Sequence, residues 1–420
     1  MNKRRYQSTD VVVIGGGQAG LAMSCCLQAR SIDHVVLERG RVAQRWHAER
    51  WDSLRLLTPN WQSRLPGYRY AGADPDGFMH ARDAAAYLES YARSFSAPVR
   101  TQTSVMSVAP WGDRFVLRTD RGDFVARCVV IATGQCDTPR VPSFSARLST
   151  DIDQVTPKRY KNPGQLADGG VLVVGASATG LQLAQEIHAS GRPVTLAVGR
   201  HTRVPRSYRG RDIMWWLDRT GILERRVRDL SDVEAARSEP SLGLVGRRDD
   251  QGFDLGVLQQ AGVRLTGRLA DAEGLRVNFH NDLRRQVEQA DTQLERLLAR
   301  VDRFAARSGL SQPGATSSRP TPITPQPTPN LLNLRHEGIR TVLWATGYRG
   351  NYPWLRVPVL DRAGRIVHRE GVTASPGLYA LGLTFMRQRK STFIDGVGDD
   401  AESLASHIVQ HLNGGRIQAA

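Results

Sequence analysis

Apolar residues in this chain come in short unbroken runs that stop at glycines and give way to helical spacing. Residues 10–14 read as a parallel strand buried on both faces, and residues 15–20 (Gly-Gly-Gly-Gln-Ala-Gly) as a tight turn. Residues 21–30 read as a helix that turns small residues towards that strand. A second apolar run, His-Val-Val-Leu, ends at Glu38. The pattern predicts a βαβ unit with glycines at Gly15, Gly17 and Gly20 and an acid 23 positions after the first of them.

The same alternation returns in the middle of the chain. Residues 171–174 predict a strand, Gly175, Ser177 and Gly180 occupy the turn positions, a helix runs to about residue 190, and residues 194–198 predict the next strand. Two other β-rich runs end alike, one at Ala132, Thr133 and Gly134 and one at Ala345, Thr346 and Gly347. A small residue and a glycine at a strand end let the backbone pass close beneath a bound nucleotide.

Residues 281–308 have helical periodicity with alternating charges, and residues 311–330 are rich in Pro, Ser and Thr. The latter predict an extended connector with no core of its own, returning the chain from an inserted domain to the first one. Near the end, residues 377–385 predict a strand, and Asp395, Gly396 and Gly398 precede a helix expected from about Asp399. The expected architecture is therefore α/β, with two Rossmann-like dinucleotide-binding domains. Its divisions are residues 1–160 for the first part of the first domain, 161–330 for the second domain with its helical and Pro-rich end, and 331–420 for the return to the first.

Length and composition narrow the classes. A chain of 420 residues allows two or three domains, and 40% hydrophobic residues exclude a fibrous or wholly disordered protein. Lys and Arg number 57 against 41 Asp and Glu, a net charge of +16 that favours anionic partners. The charge is spread along the chain rather than massed in a tail, so phosphate-bearing cofactors are expected and nucleic acid is not. No run approaches the ~18 apolar residues of a spanning helix, so no membrane insertion is expected. The basic start runs into the glycine turn without a cleavage site, which gives a cytoplasmic expectation. Four cysteines, Cys25, Cys26, Cys128 and Cys136, show neither C-x-x-C nor C-x-x-x-x-C spacing and read as buried thiols; no metal site is expected.

The residue types carry distinct chemistry. Gly15 permits the turn, Gly17 lets backbone N–H groups reach a pyrophosphate, Gly20 allows close helix packing, and Glu38 can accept from ribose hydroxyls. Gln18, Ala19 and Arg39 complete this candidate site. In the second unit Ser177 replaces the middle glycine, with Ala178 and Thr179 beside it, and a hydroxyl there can donate to phosphate. No acid follows Val198; Arg200 and Arg203 come instead. An acid would repel a 2′-phosphate, whereas Arg pairs with it, so NADPH is favoured over NADH. Two dinucleotide sites in one chain suggest a hydride path from nicotinamide to flavin.

With these residues in hand, the chain resembles the two-dinucleotide-domain flavoproteins, in particular the flavin-containing monooxygenases and their small bacterial relatives. The resemblance rests on GGGQAG, GASATG, the paired ATG and ATGY segments and GVGDDA, and it covers nearly the whole chain. It implies FAD and NADPH as cofactors. A further family pattern, Trp46, Arg50-Trp51-Asp52, Thr58-Pro59 and Leu65-Pro66-Gly67, implies that Arg45 and Trp46 lie near FAD and that Leu54, Leu57 and Thr58 pass close to the isoalloxazine. Asp395 and Gly396 are implied at the flavin-facing helix start.

Departures from the family shape the functional expectation. The F-x-G-x-x-x-H motif is absent between Phe144 and Tyr160, which counts against Baeyer–Villiger chemistry. Leu57 stands where oxygenating relatives often carry Asn or His, and Leu383 where reductases of this fold carry Asp. The leading expectation is an NADPH-dependent FAD monooxygenase that forms a C4a-hydroperoxyflavin and passes one oxygen of O₂ to a small soft nucleophile, an amine nitrogen or a sulfur. No catalytic side chain is named, because the cofactor carries the hard chemistry. The alternative is a flavin-dependent NAD(P)H oxidoreductase or oxidase without oxygen transfer, and a non-enzymatic flavin-dependent regulator is a third class. Trp215, Trp216 and Phe385 are open to either a substrate-pocket or a core role. A homodimer is compatible with the pattern and not required by it.

Overall fold

The computed structural model describes residues 6–247, 254–310, 319–326 and 330–417. The first apolar run becomes the strand Tyr6–Ile14, whose inner half is fully buried. It lies between His34–Leu37 and Asp123–Ile131, parallel to both, with Val12 opposite Val35 on one side and Val129 on the other. Parallel strands covered on both faces need continuous Val and Ile, and that is what the run supplies. Val99–Arg100 extends this sheet at one edge, and Leu378–Ala380, Val372–Thr373 and His368–Arg369 extend it at the other. On one face the helices Gln18–Gln28 and Val397–Ile417 contribute Leu21, Met23, Leu404 and Ile408 to a common core.

The second apolar unit builds a five-stranded parallel sheet ordered Asp153–Val155, Ile339–Trp344, Gly170–Val174, Val194–Ala197 and Arg264–Thr266. The helix Ala178–Ala189 follows its glycine turn. The charged periodic stretch forms the helix Leu283–Arg307, which buries Leu294, Leu298, Val301 and Ala305 against Ile213, Met214 and Trp216. Their spacing of three and four residues is one stripe of an α-helix, and the charges occupy the rest of its surface.

Both expected boundaries of the second division fall inside this sheet. Asp153–Val155 and Ile339–Trp344 pair with each other within it, so the strand ending in the second Ala-Thr-Gly belongs to the second sheet and not to the return into the first. The reason is packing: this strand closes under the turn at Gly175 as Asp123–Ile131 closes under the turn at Gly15. The chain passes between the two sheets through Thr138–Pro139 and Tyr348–Arg349, which pair antiparallel as a two-stranded ribbon.

The Pro-rich connector also corrects an expectation where it is described. The backbone N–H of Thr321 donates to Asp254 and that of Thr324 to Gln259, while Ile323 packs on the second domain's core, so residues 319–326 lie against that domain instead of leading out of it. Residues 311–318 and 327–329 of the stretch lie outside the described residues. The predicted strand at residues 377–385 is shorter than expected, only Leu378–Ala380. Among the described residues, no helix is long and apolar enough to cross a membrane.

Candidate functional site

The first glycine turn has three constraints of different origin. Gly15 has φ +112°, and a Cβ there would sit 2.6 Å from the carbonyl oxygen of Ala132. A Cβ on Gly20 would lie 1.8 Å from the carbonyl oxygen of Gly15, so the helix packs on the turn only through glycine. A Cβ on Gly17 would meet nothing within 4 Å. Gly17 lines a cleft of about 560 Å³, and the open position beside it leaves its backbone N–H free to approach a pyrophosphate.

The second turn repeats the arrangement. Gly175 has φ +108° with its would-be Cβ 2.5 Å from the carbonyl oxygen of Ala345, and a Cβ on Gly180 would lie 1.7 Å from that of Gly175. The two Ala-Thr-Gly segments are thus the floors of the two turns.

Glu38 is buried and holds the first site's acid end. Its Oε2 accepts from the backbone N–H of Gly16 at 2.7 Å and its Oε1 from that of Gly40 at 2.9 Å, which fixes the carboxylate and leaves lone pairs for ribose hydroxyls. Gly15, Gly17, Gln18, Ala19, Glu38, Arg39, Arg45, Trp46, Ala132, Thr133 and Gly134 all line the same cleft. Asp137 gathers the cations at its rim, with Arg45 hydrogen-bonded to it and Arg39 at 3.5 Å. At the inner end, Trp46 Nε1 donates to Gln18 Oε1 at 3.3 Å, and Gln18 Nε2 donates to the carbonyl oxygen of Thr392 at 3.2 Å. Gln18 thereby ties the helix Gln18–Gln28 to the turn before the C-terminal helix.

Several lining residues carried no sequence signal. Thr103 and Ser104, just before the strand Val105–Trp111, Gly382, just after Leu378–Ala380, and Thr392, in the turn before the C-terminal helix, reach the cleft only through the tertiary fold. Gln135 and Cys136, also in its wall, follow directly on the first Ala-Thr-Gly, and that adjacency was the available clue. Gln135 Oε1 accepts from the backbone N–H of Thr384 at 3.0 Å.

The segment at residues 51–58 behaves differently from its expected place along the cleft. Trp51 and Leu54 pack into the core of the second sheet, Leu56 into that of the first, and Leu57 against the cluster around Trp216 and Leu298. Neither Leu54, Leu57 nor Thr58 is in the cleft wall; the segment wedges Trp51, Leu54, Leu56 and Leu57 into three cores while Asp52, Ser53 and Arg55 stay exposed. Asp395 is also outside the wall. It is held by Arg64, with Nη2 at 2.9 Å, and by Lys390 Nζ at 3.3 Å, an ion cluster whose carboxylate side chain is 5% exposed. Gly396 follows in the same turn, its carbonyl oxygen accepting from Gln388. Val397, the first residue of the C-terminal helix, does line the cleft.

In the second unit Ser177 caps the helix start with extended backbone, and Ala178, Thr179 and Gly180 form its first turn. A strap at residues 238–243 crosses this mouth. The carbonyl oxygen of Ser241 accepts from Ser177 Oγ at 3.2 Å and from Thr202 Oγ1 at 2.9 Å, and that of Ser238 accepts from Arg200 Nη2 at 3.0 Å. Arg200 is exposed and keeps donors free. Arg203 is not beside it: its side chain is 4% exposed, hydrogen-bonded to Asp291 and Thr321 and 3.9 Å from Asp254. Ala345 is buried beneath Gly175, while Thr346 donates to the carbonyl oxygen of Arg140 and Gly347 accepts from its N–H.

Trp216 and Phe385 are core residues at 1% and 3% exposure, whereas Trp215 lies between the guanidinium groups of Arg211 and Arg219. Among the described residues, no three His, Cys, Asp or Glu side chains are grouped to hold a metal. Cys26 and Cys128 are buried and their thiols are pushed up to about 12 by desolvation, which keeps them protonated and unreactive.

Three comparisons bear on this geometry. A family model described as pyridine nucleotide-disulphide oxidoreductase matches residues 12–219. The chain is 33% identical over 406 residues to an uncharacterized oxidoreductase, CzcO-like, of Geobacillus kaustophilus, covering 96% of this chain and 99% of that one. It is 26% identical to the indole-3-pyruvate monooxygenase YUCCA1 of Oryza sativa, over 91% of this chain and 88% of the relative. Among solved structures, a flavin-containing monooxygenase from Stenotrophomonas maltophilia superposes with a TM-score of 0.66 at 18% identity, over 97% of this chain and 99% of that one.

Proposed function

The chain belongs to the family of the CzcO-like oxidoreductase, within the flavin-containing monooxygenase class of FAD- and NADP-dependent oxidoreductases, and from that premise we propose that it transfers one oxygen of O₂ to a soft nucleophile, an amine nitrogen or a sulfur. The observation that carries the cofactor assignment is the pair of glycine turns closed by matching Ala-Thr-Gly floors, with the cleft opening at Gly17. When bound, the flavin accepts hydride from the nicotinamide and supplies the reaction with dioxygen.

This chain's residues do the positioning. The backbone at residues 15–18 and the start of the helix Gln18–Gln28 face the pyrophosphate, Glu38 accepts from ribose, and Gln18 with Trp46 holds the inner end of the cleft. Ser177, Arg200 and the helix Ala178–Ala189 are the groups for NADPH, and Trp51, Leu54, Leu56 and Leu57 pack apolar surface into the cores of both domains. A dithiol relay lacks support: of the four cysteines only Cys136 lines the cleft. The second reading is an NADPH oxidase without oxygen transfer, which releases H₂O₂.

The deciding experiment measures NADPH oxidation with and without a panel of amines, sulfides and ketones, together with H₂O₂. Substrate-dependent oxygenated product with reduced H₂O₂ supports the monooxygenase. Stoichiometric H₂O₂ with every compound supports the oxidase.

A further inference from the structure

The side chains assigned to NADPH already have partners within the chain. A serine hydroxyl has one hydrogen to give, and that of Ser177 goes to the carbonyl oxygen of Ser241 at 3.2 Å. The same carbonyl oxygen takes the Thr202 hydroxyl at 2.9 Å, and that of Ser238 takes an N–H of the Arg200 guanidinium at 3.0 Å. Further along, the carbonyl oxygen of Leu244 accepts from Gln182 Nε2 at 3.1 Å, and a Cβ on Gly243 would lie 3.2 Å from the side chain of Leu181. The strap thus lies over the start of the helix Ala178–Ala189. A phosphate oxygen can receive the Ser177 hydrogen only when the Ser241 carbonyl gives it up.

The strap is pinned at one end and latched at the other. Leu242 and Leu244 are buried in the cluster around Trp216 and Leu298, whereas Ser238, Glu239 and Ser241 are exposed. Glu239 is the latch: its carboxylate accepts from Arg225 Nη2 at 2.8 Å and from Arg389. Both arginines belong to one frame, since the backbone N–H of Arg389 donates to the carbonyl oxygen of Arg225 at 3.1 Å and that of Val227 to the carbonyl oxygen of Arg387 at 2.8 Å. Neither arginine is among the groups assigned to NADPH, so the latch can be loosened without altering the residues of the nucleotide site.

We propose that residues 238–241 are an autoinhibitory strap, which holds the donors of Ser177 and Arg200 in its closed position and is displaced when NADPH binds. The inference rests on the assignment of NADPH to Ser177 and Arg200. Opening breaks the ion pairs of Glu239 and frees both donors, while Leu242 and Leu244 stay in their core as the pivot. The apparent affinity for NADPH is then the intrinsic affinity reduced by the fraction of molecules whose strap is open. Glu239 is a positioning residue that sets this fraction and does not touch the nucleotide.

The test follows NADP⁺ binding to the FAD-loaded protein by calorimetry and by amide hydrogen exchange, in the wild type and in Glu239→Gln. In the wild type, NADP⁺ is expected to speed exchange across residues 238–243, because the nucleotide releases the strap. Glu239→Gln is expected to exchange faster there without nucleotide and to bind NADP⁺ about two- to tenfold more tightly, the range for two partly exposed ion pairs. Slower or unchanged exchange on NADP⁺ binding, or unchanged or weaker binding by Glu239→Gln, would make the strap a fixed wall of the site and overturn the proposal while leaving the NADPH assignment intact. Failure of the wild type to bind NADP⁺ at all would overturn that assignment itself. The exchange arm needs no substitution, so a variant that does not fold leaves the test decisive.

Discussion

Arg206 Nη1 donates to the carbonyl oxygen of Leu57 at 2.8 Å, joining the second domain's arginine-rich segment to the segment at residues 51–58. The same guanidinium pairs with Asp212 and stacks 4.7 Å from the ring of Phe78. Arg206→Ala leaves the partly buried Asp212 carboxylate with only the backbone N–H of Met214 and the Leu57 carbonyl without its arginine donor, and is expected to cost about 2–4 kcal/mol. Thermal and denaturant unfolding measure it, and Arg206→Lys should recover little, because an ammonium cannot reproduce the fork.

The two glycines at the first turn should respond in opposite ways. A side chain at Gly17 meets no protein atom, so Gly17→Val should fold with normal stability and purify without flavin. Gly20→Ala drives a Cβ into the carbonyl oxygen of Gly15 and should destabilise the fold itself. Full flavin occupancy in Gly17→Val would refute the pyrophosphate assignment.

Arg200 and Arg203 should separate in the same manner. Arg200→Ala removes one charge-assisted phosphate contact, worth on the order of 1.5–3 kcal/mol, and should raise KM for NADPH about 10- to 150-fold while sparing NADH. Arg203→Ala leaves Asp254, which is buried, without its nearby cation and should lower stability, with no selective effect on NADPH. Steady-state kinetics with both nicotinamides, beside melting curves, check the pair.

Leu57→Asn places an amide in the cluster formed with Trp215, Trp216 and Phe393. It should cost about 1–3 kcal/mol of stability through a polar group buried in an apolar site. The ratio of H₂O₂ formed to NADPH consumed should stay unchanged, since the cleft is lined by other residues. A fall in that ratio would show that this position reaches the reacting centre.

Asp400 sets a pH dependence. Burial raises its carboxyl from 3.8 to about 7, opposed by the Ser391 hydroxyl and Arg387 and reinforced by Asp399 and Glu370. Between these values the folded state holds a proton that the unfolded state has released, so the group's contribution is full below about pH 4 and is lost as pH rises towards 7. Asp400→Asn should therefore gain stability relative to wild type as pH rises from 4 to 8, by no more than about 4 kcal/mol. Melting temperatures across that range read the crossover.

The sequence alone determined the two βαβ units, their glycine turns, the acid at Glu38 and the two Ala-Thr-Gly floors. These depend on local rules: strand runs, turn sterics and helix starts leave their mark within about 30 residues. All the residues expected at the first turn and its ribose acid duly converge on one cleft, apart from Gly20, which serves the packing beneath it.

The tertiary structure decided what long-range partners choose. Which sheet receives Ile339–Trp344 depends on the fit of Ala345 under Gly175, 170 residues earlier in the chain. Arg203 was expected from its position after Val198, and Asp395 and Leu57 from the family resemblance; in the structure each side chain goes to a distant counter-charge or apolar cluster: Asp291, Arg64 and the Trp216 cluster respectively. Long side chains and ion pairs have reach but no periodicity, so their partners are settled only when the two sheets come together.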